Sequence, residues 1–253
     1  MTPSARSEAT PAAGVASPPD RPEAHALVTG AAGFVGVNLV RALADHVGRV
    51  TALARRPPDD AILGFVGDHA DRVRWIRGDV TDRKAMRRLV ADGVQQIVHA
   101  AAVTATVEEE RAATARVFDV NAGGTLNLLE AAREAGVERF VLVSSGGLYG
   151  PAPPLPALDE STPMGASNLY GIAKAASERL VLRYAELHGM SGVVGRLGTA
   201  YGPMERPSGS RHTLSAVQQA VSAFLDPTRA HEPVRVRRSA VARDFLHIDD
   251  ATD

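Results

Sequence analysis

Between Ala26 and Asn38 a short apolar run breaks into three glycines, Gly30, Gly33 and Gly36, and amphipathic sequence follows at once. Strand, tight turn and helix must therefore succeed one another within a few residues. Glycines at these places let the backbone turn sharply, bring amide groups close to a ligand and pack the new helix tightly on its strand. The start of that helix presents unpaired N–H groups and the positive end of its dipole, which suits a pyrophosphate. The same spacing also serves a purely structural turn, so the sequence around it has to decide.

That sequence repeats the theme. Val37 to His46 has helical spacing, and Val50 to Ala54 forms a second short apolar strand. Val73 to Ile76 is a third strand, running into Gly78-Asp79-Val80-Thr81-Asp82, after which a helix extends to about Ala91 with Thr81 or Asp82 as its cap. Gln96 to Ala102 reads as a fourth strand. One long helical segment from about Glu108 to Ala135 places Val117, Val120, Leu128, Leu129 and Ala132 at turn-like intervals, and Gly136 stops it. Arg139 to Val143 is a fifth strand, and a helix carrying Tyr170 runs to about His188. Alternating strands and helices predict a Rossmann-like α/β fold: a doubly wound parallel sheet with helices on both faces and a ligand beyond the carboxyl ends of its strands.

Composition removes several function classes. A net charge of -1 gives no basic footprint for nucleic acid and no polybasic stretch for an anionic membrane. No apolar run approaches the ~20 residues a membrane-spanning helix needs. The sequence has no cysteine, which excludes disulfides, thiol catalysis and thiolate metal sites and agrees with a cytoplasmic setting. No metal-ligand constellation stands out, and no metal is expected. Residues 1–23, rich in Pro, Ala and Ser, read as a disordered tail.

The chemistry-bearing residues fall at strand ends. Where an NAD site typically ends its second strand with an Asp or Glu for the ribose hydroxyls, this chain has Ala54, followed by Arg55 and Arg56. An arginine there accommodates a 2′-phosphate, which favours NADP over NAD without excluding NAD. A solvated loop is the plainer reading of Arg-Arg-Pro. Asp79 can accept the adenine amino group or form a turn, and the small residues Ala100, Ala101 and Ala102 let a flat ligand lie against the backbone. His99, with no second ligand beside it, reads as a satisfied core histidine. Ser144 and Ser145 stand at the end of the fifth strand. Tyr170 and Lys174 lie one helical turn apart, so phenol and ammonium share a face and the positive charge favours the phenolate. A solvent-exposed helix face can show the same pair.

Taken in order, these pieces resemble the extended short-chain dehydrogenase/reductase superfamily and, within it, the NAD-dependent epimerase/dehydratase family. The resemblance rests on Thr29-Gly-Ala-Ala-Gly-Phe-Val-Gly36, Gly78 to Asp82, Val98 to Ala102, Asn121 to Ala131, Val143-Ser-Ser-Gly-Gly-Leu-Tyr-Gly150, Tyr170-Gly-Ile-Ala-Lys174, Tyr201-Gly-Pro203 and Arg243 to Asp250. It implies that Tyr170 exchanges a proton with a substrate hydroxyl while hydride moves between that carbon and a nicotinamide. Lys174 then binds the nicotinamide ribose and supports Tyr170, and Ser145 orients the reacting oxygen. Gly30, Gly33, Phe34, Val35 and Gly36 cradle the phosphates, Asp79 and Val80 meet the adenine, and Ala100 to Ala102 wall the cofactor. Asn121 matches a helix position near the site. Residues 24–198 form the NAD(P)-binding domain with the catalytic Ser, Tyr and Lys, and residues 199–253 form part of a substrate lobe.

Departures from the family pattern narrow the reaction. Family dehydratases commonly carry carboxylates just after the catalytic Ser/Thr, whereas this chain has Gly146 and Gly147, which favours epimerisation or alcohol/ketone interconversion over dehydration. An Asn that often holds a nucleotide sugar is replaced by Thr199, while Arg243 matches an arginine that meets the diphosphate. The expected function is an NAD(P)-dependent epimerase or dehydrogenase acting on a secondary alcohol of a sugar, sugar acid or nucleotide sugar. An NADP-dependent ketone or aldehyde reductase and a non-catalytic cofactor-binding protein are the alternatives. The resemblance also implies a homodimer built from the long helix and the Tyr170 helix. Because the chain stops at Asp253, directly after the Arg-Asp-Phe motif, an incomplete substrate lobe is expected, either truncated or completed by a partner.

Overall fold

In the computed structural model of the protein, residues 21–150, 158–207, 214–225 and 245–252 are described. Strands β1 (Arg21–Thr29), β2 (Val47–Ala54), β3 (Val73–Arg77), β4 (Gln96–His99), β5 (Arg139–Ser145) and β6 (Ser191–Leu197) form one sheet in the order β3-β2-β1-β4-β5-β6. All its neighbours pair in parallel. The last six residues of β1, Ala24 to Thr29, are buried, as expected of a central strand covered on both faces.

Each face has its own core. On one, α1 (Phe34–His46) and α2 (Asp60–Val66) lay Val37, Val40, Ala44, Ile62 and Val66 against Ala26, Val28, Val50 and Ala52. On the other, α3 (Arg83–Val90), α6 (Gly124–Ala135) and α7 (Leu169–His188) pack Met86, Val90, Leu128, Leu129 and Val181 against Leu27, Leu53, Ile97, Phe140 and Leu142. Asp82 caps α3 by accepting from the Ala85 N–H, and Gly136 ends α6 at φ 70°. A separate parallel pair, β7 (Thr199–Tyr201) and β8 (Phe245–His247), lies beside a small cluster of Phe34, Ala200 and Ile248. A further helix, α8, spans Ala216–Leu225.

Three sequence expectations change, the first being that the fourth strand, expected over Gln96 to Ala102, ends at His99 and leaves Ala100 to Ala102 in the following loop. The long helix expected over 108–135 is divided into α4 (Val107–Ala112), α5 (Thr114–Phe118), a π-turn over Asp119–Gly123, and α6. Ala113 leaves the helical region at φ -145°, ψ 45°, between a capping box at Thr106/Glu109 and the start of α5. Strand β1 also starts ahead of Ala24: Arg21 pairs with Val47, so residues 21–23 belong to the sheet rather than to a tail. Residues 1–20 of the expected tail, residues 151–157 between the fifth strand and the Tyr170 helix, and Arg243 lie outside the described residues.

Candidate active site

The strand order reverses between β1 and β4, and a cleft of about 400 Å³ opens there at the carboxyl ends of the strands. Doubly wound sheets bind ligands at this position because the loops leaving neighbouring strands part in opposite directions. The glycine turn forms its floor. Gly30 sits at φ +69°, and a Cβ on it would stand 2.7 Å from the Cα and N of Ala101, so the turn packs straight onto the wall after β4. A Cβ on Gly36 would run into the Gly30 carbonyl. No side chain caps the start of α1 and no acid stands in its first turn, an arrangement suited to an external anion. The cradle therefore fits a dinucleotide pyrophosphate.

Gly30, Gly33, Phe34, Val35, Gly36, Arg55, Asp79, Val80, Ala100, Ala101, Ala102, Ser145, Tyr170, Lys174 and Thr199 all line this one cleft. Asp79 forms the expected turn, its Oδ1 accepting from the Thr81 N–H (3.0 Å) and hydroxyl (2.9 Å), and the residue lines the cleft. At the end of β2 Ala54 is followed by Arg55 and Arg56, both on the cleft wall. His99 behaves as a core residue: fully buried, it is bonded to Thr29 (2.7 Å) and Thr125 (3.0 Å). Burial, helped by the Lys174 charge, pulls its pKa to about 3, so it is neutral.

At the other end, Asn168 caps α7 by accepting from the Gly171 N–H at 2.8 Å, which starts the helix beside Tyr170. Lys174, one turn on, is 2% exposed and donates through Nζ to the Val143 carbonyl at 2.7 Å. Burial lowers its pKa to about 8, while Glu178 acts in the opposite sense. Ser145 ends β5 with its Oγ accepting from the Gly147 N–H at 3.1 Å, which leaves the hydroxyl proton to donate. A Cβ on Gly146 would meet the Leu197 carbonyl only at 3.5 Å.

The same region holds further residues whose roles the sequence did not reveal. Asn121, fully buried on the π-turn, clasps the loop after β4: its Oδ1 accepts from the Val103 N–H and its Nδ2 donates to the Val103 carbonyl, each at 2.9 Å. Ser144 donates to the Glu178 carboxylate. Glu178, 2% exposed, is gripped by the Arg196 guanidinium, Nε to Oε1 at 3.1 Å and Nη2 to Oε2 at 2.8 Å. These bonds hold the Arg196 pKa above its ordinary value. One sequence signal pointed to Glu178, since it stands one turn past Lys174 on the face of Tyr170. Nothing local points to Arg196, which reaches it from β6.

Comparison with known proteins agrees with this geometry. The family model for the NAD-dependent epimerase/dehydratase family matches residues 26–253. A low-salt glycan biosynthesis protein of Haloferax volcanii is 32% identical over 72% of this chain and 58% of its own length. A dTDP-glucose 4,6-dehydratase of Streptomyces niveus is 38% identical over 72% of this chain and 55% of its own. The chain thus spans less than two thirds of either relative. A solved UDP-glucose 4-epimerase of Thermus thermophilus, in complex with NAD, superposes with a TM-score of 0.72 at 29% identity, over 90% of this chain and 72% of that one.

Proposed function

The protein belongs to the NAD-dependent epimerase/dehydratase family, and on that footing we propose that it is an NAD(P)-dependent epimerase or dehydrogenase acting at a secondary alcohol of a sugar, sugar acid or nucleotide sugar. The observation that carries this reading is the convergence of Ser145, Tyr170 and Lys174 on the cleft whose floor is the glycine turn. A bound nicotinamide supplies the hydride acceptor and donor. The Tyr170 phenolate takes the substrate hydroxyl proton and returns it, the Lys174 ammonium favours that phenolate, and the Ser145 hydroxyl donates to the reacting oxygen. Residues 24–198 hold cofactor and catalytic groups, and residues 199–253 belong to the substrate lobe, to which Thr199 and, outside the described residues, Arg243 are assigned as substrate contacts.

Tyr170→Phe is expected to lower turnover by about 100-fold or more, the scale of a general acid/base, while leaving cofactor affinity within a few-fold. The measurement is a panel of sugar nucleotides and free uronic acids assayed with cofactor. Full activity in the variant would sink the role of Tyr170. With glycines at 146 and 147, no carboxylate follows Ser145 to assist loss of water, which favours epimerisation or dehydrogenation over dehydration.

NADP is the cofactor we favour. Ala54 removes the carboxylate that would repel a 2′-phosphate, and Arg55 and Arg56 stand on the cleft wall beside it. Calorimetric titration should give tighter binding of NADP than of NAD, and Arg55→Ala should erase about tenfold of the NADP affinity alone, near 1.4 kcal/mol for a charged contact. Tighter NAD binding by the wild-type chain would reverse the assignment. A cytoplasmic homodimer completes the reading, with exposed apolar residues on α5, α6 and α7 at its interface.

A further inference from the structure

Behind the Tyr170–Lys174 pair runs a polar chain, buried at Lys174 and Glu178 and opening toward the surface at Tyr149, that the reaction as written does not use. Tyr170, Lys174 and Glu178 repeat at one-turn intervals along α7, and Lys174 and Glu178 are each 2% exposed. Arg196, from β6, binds both carboxylate oxygens of Glu178 and donates through Nη1 to the Tyr149 hydroxyl at 2.8 Å. Tyr149 in turn donates to the Asp159 carbonyl at 2.8 Å. Ser144 ties the same carboxylate to β5, immediately before Ser145. A buried ion pair costs desolvation and is weak evidence of stability for its own sake. Its placement, bonded to the strand end that carries Ser145 and one turn from Lys174, serves the site.

We propose that Glu178, clamped by Arg196, is a positioning residue for the Tyr170–Lys174 pair, fixing α7 against the carboxyl ends of β5 and β6 and supplying the countercharge for the Lys174 ammonium. The proposal rests on the reading that Lys174 meets a bound nicotinamide nucleotide. Among the described residues, four ionisable groups face Lys174 or lie next in line: Tyr170 and Glu178 on α7, His99 from β4, and Arg196 beyond Glu178 on β6. His99 is neutral, and the Glu178 carboxylate, paired with Arg196, acts on Lys174 in the sense that favours its protonated form. Removing its charge also leaves the Arg196 cation unpaired nearby, and both changes push the Lys174 proton off.

The sequence makes this directly readable, because Lys84 and Lys174 are its only lysines and Lys84 is exposed. In the full chain labelled with 13Cε-lysine, two signals titrate, and Lys84 serves as the internal control. Glu178→Gln is expected to lower the Lys174 midpoint by about one pH unit or more, the effect of losing a close opposite charge, without moving Lys84. Glu178→Asp should restore most of it. In the wild-type chain the 13Cδ carboxyl signal of Glu178 should inflect at the pH where Lys174 titrates, a test that needs no variant to fold. An unchanged Lys174 midpoint in folded Glu178→Gln, or no shared inflection in the wild type, overturns the proposal.

Cofactor titrations on the same samples separate the two readings. Glu178→Gln should bind NADP more weakly at neutral pH and regain affinity as the pH falls and Lys174 is protonated again, which a merely structural role would not produce. If the wild-type chain bound neither NAD nor NADP while the lysine midpoint still shifted, the functional reading would fail and the Glu178–Lys174 link would stand.

Discussion

Lys174 is an ammonium with 2% of its surface exposed, and the fold holds it in a place that burial disfavours. Its pKa is about 8 in the folded chain against 10.5 ordinarily, so between those pH values the unfolded chain keeps a proton that the folded chain has released. Stability attributable to Lys174 therefore rises with pH across that window, and the penalty is fully present below it, up to about 3 kcal/mol at ~1.36 kcal/mol per pH unit. Lys174→Met removes the titration. Urea denaturation of both chains from about pH 7 to pH 10.5 should show the wild type gaining on the variant as the pH rises; a difference flat with pH would contradict the burial argument. The sequence placed Tyr170 and Lys174 on one helix face by spacing alone, a pair that a solvent-exposed face can also show. It did not disclose the Val143 carbonyl or Arg196, which come from other strands and meet the helix only after the sheet has closed.

The division of the 108–135 segment is a matter of elements. Its apolar spacing is helical throughout, and α6 buries Leu128, Leu129, Ala131 and Ala132 as that spacing demands. The interruption comes from tertiary contacts. Gly124 passes so close to Val80 that a Cβ would lie 2.5 Å from its Cγ2, and Asn121 turns inward to clasp Val103. A π-turn rotates the chain enough to meet both demands, and no local signal encodes it. Asn121→Ala would strip the Val103 N–H and carbonyl of their side-chain partner at a cost of about 1–3 kcal/mol. Hydrogen exchange should then accelerate in residues 101–104, the wall of the cleft, and cofactor affinity should fall with it. Unchanged exchange there would show that the clasp does not hold the loop.

Across the whole molecule, the alternation of short apolar strands with amphipathic helices was enough to predict a parallel sheet with helices on both faces and a ligand beyond the carboxyl ends of its strands, whereas the strand order that sets the switch point emerges only in the folded sheet. The pairing of β7 with β8 was not legible, because three-residue strands leave too little periodicity to read and their partner lies more than forty residues away. One feature of the surface has no role in either core. Phe118 on α5, Leu126 on α6, and Ile172 and Leu182 on α7 are all exposed, although α6 and α7 are core helices whose inner faces are fully used. Exposed apolar side chains on neighbouring helices suit a second copy of the same surface, since a twofold axis brings one face onto itself. Sedimentation equilibrium of the wild-type chain should give a dimer, and Leu126→Glu combined with Leu182→Asp should shift it to monomer without changing the thermal unfolding of the monomer unit. Each introduced carboxylate would be buried unpaired against its symmetry mate, a penalty large enough to dissociate a contact held by apolar area. A monodisperse wild-type monomer would rule the interface out and leave those four side chains as unexplained exposed surface.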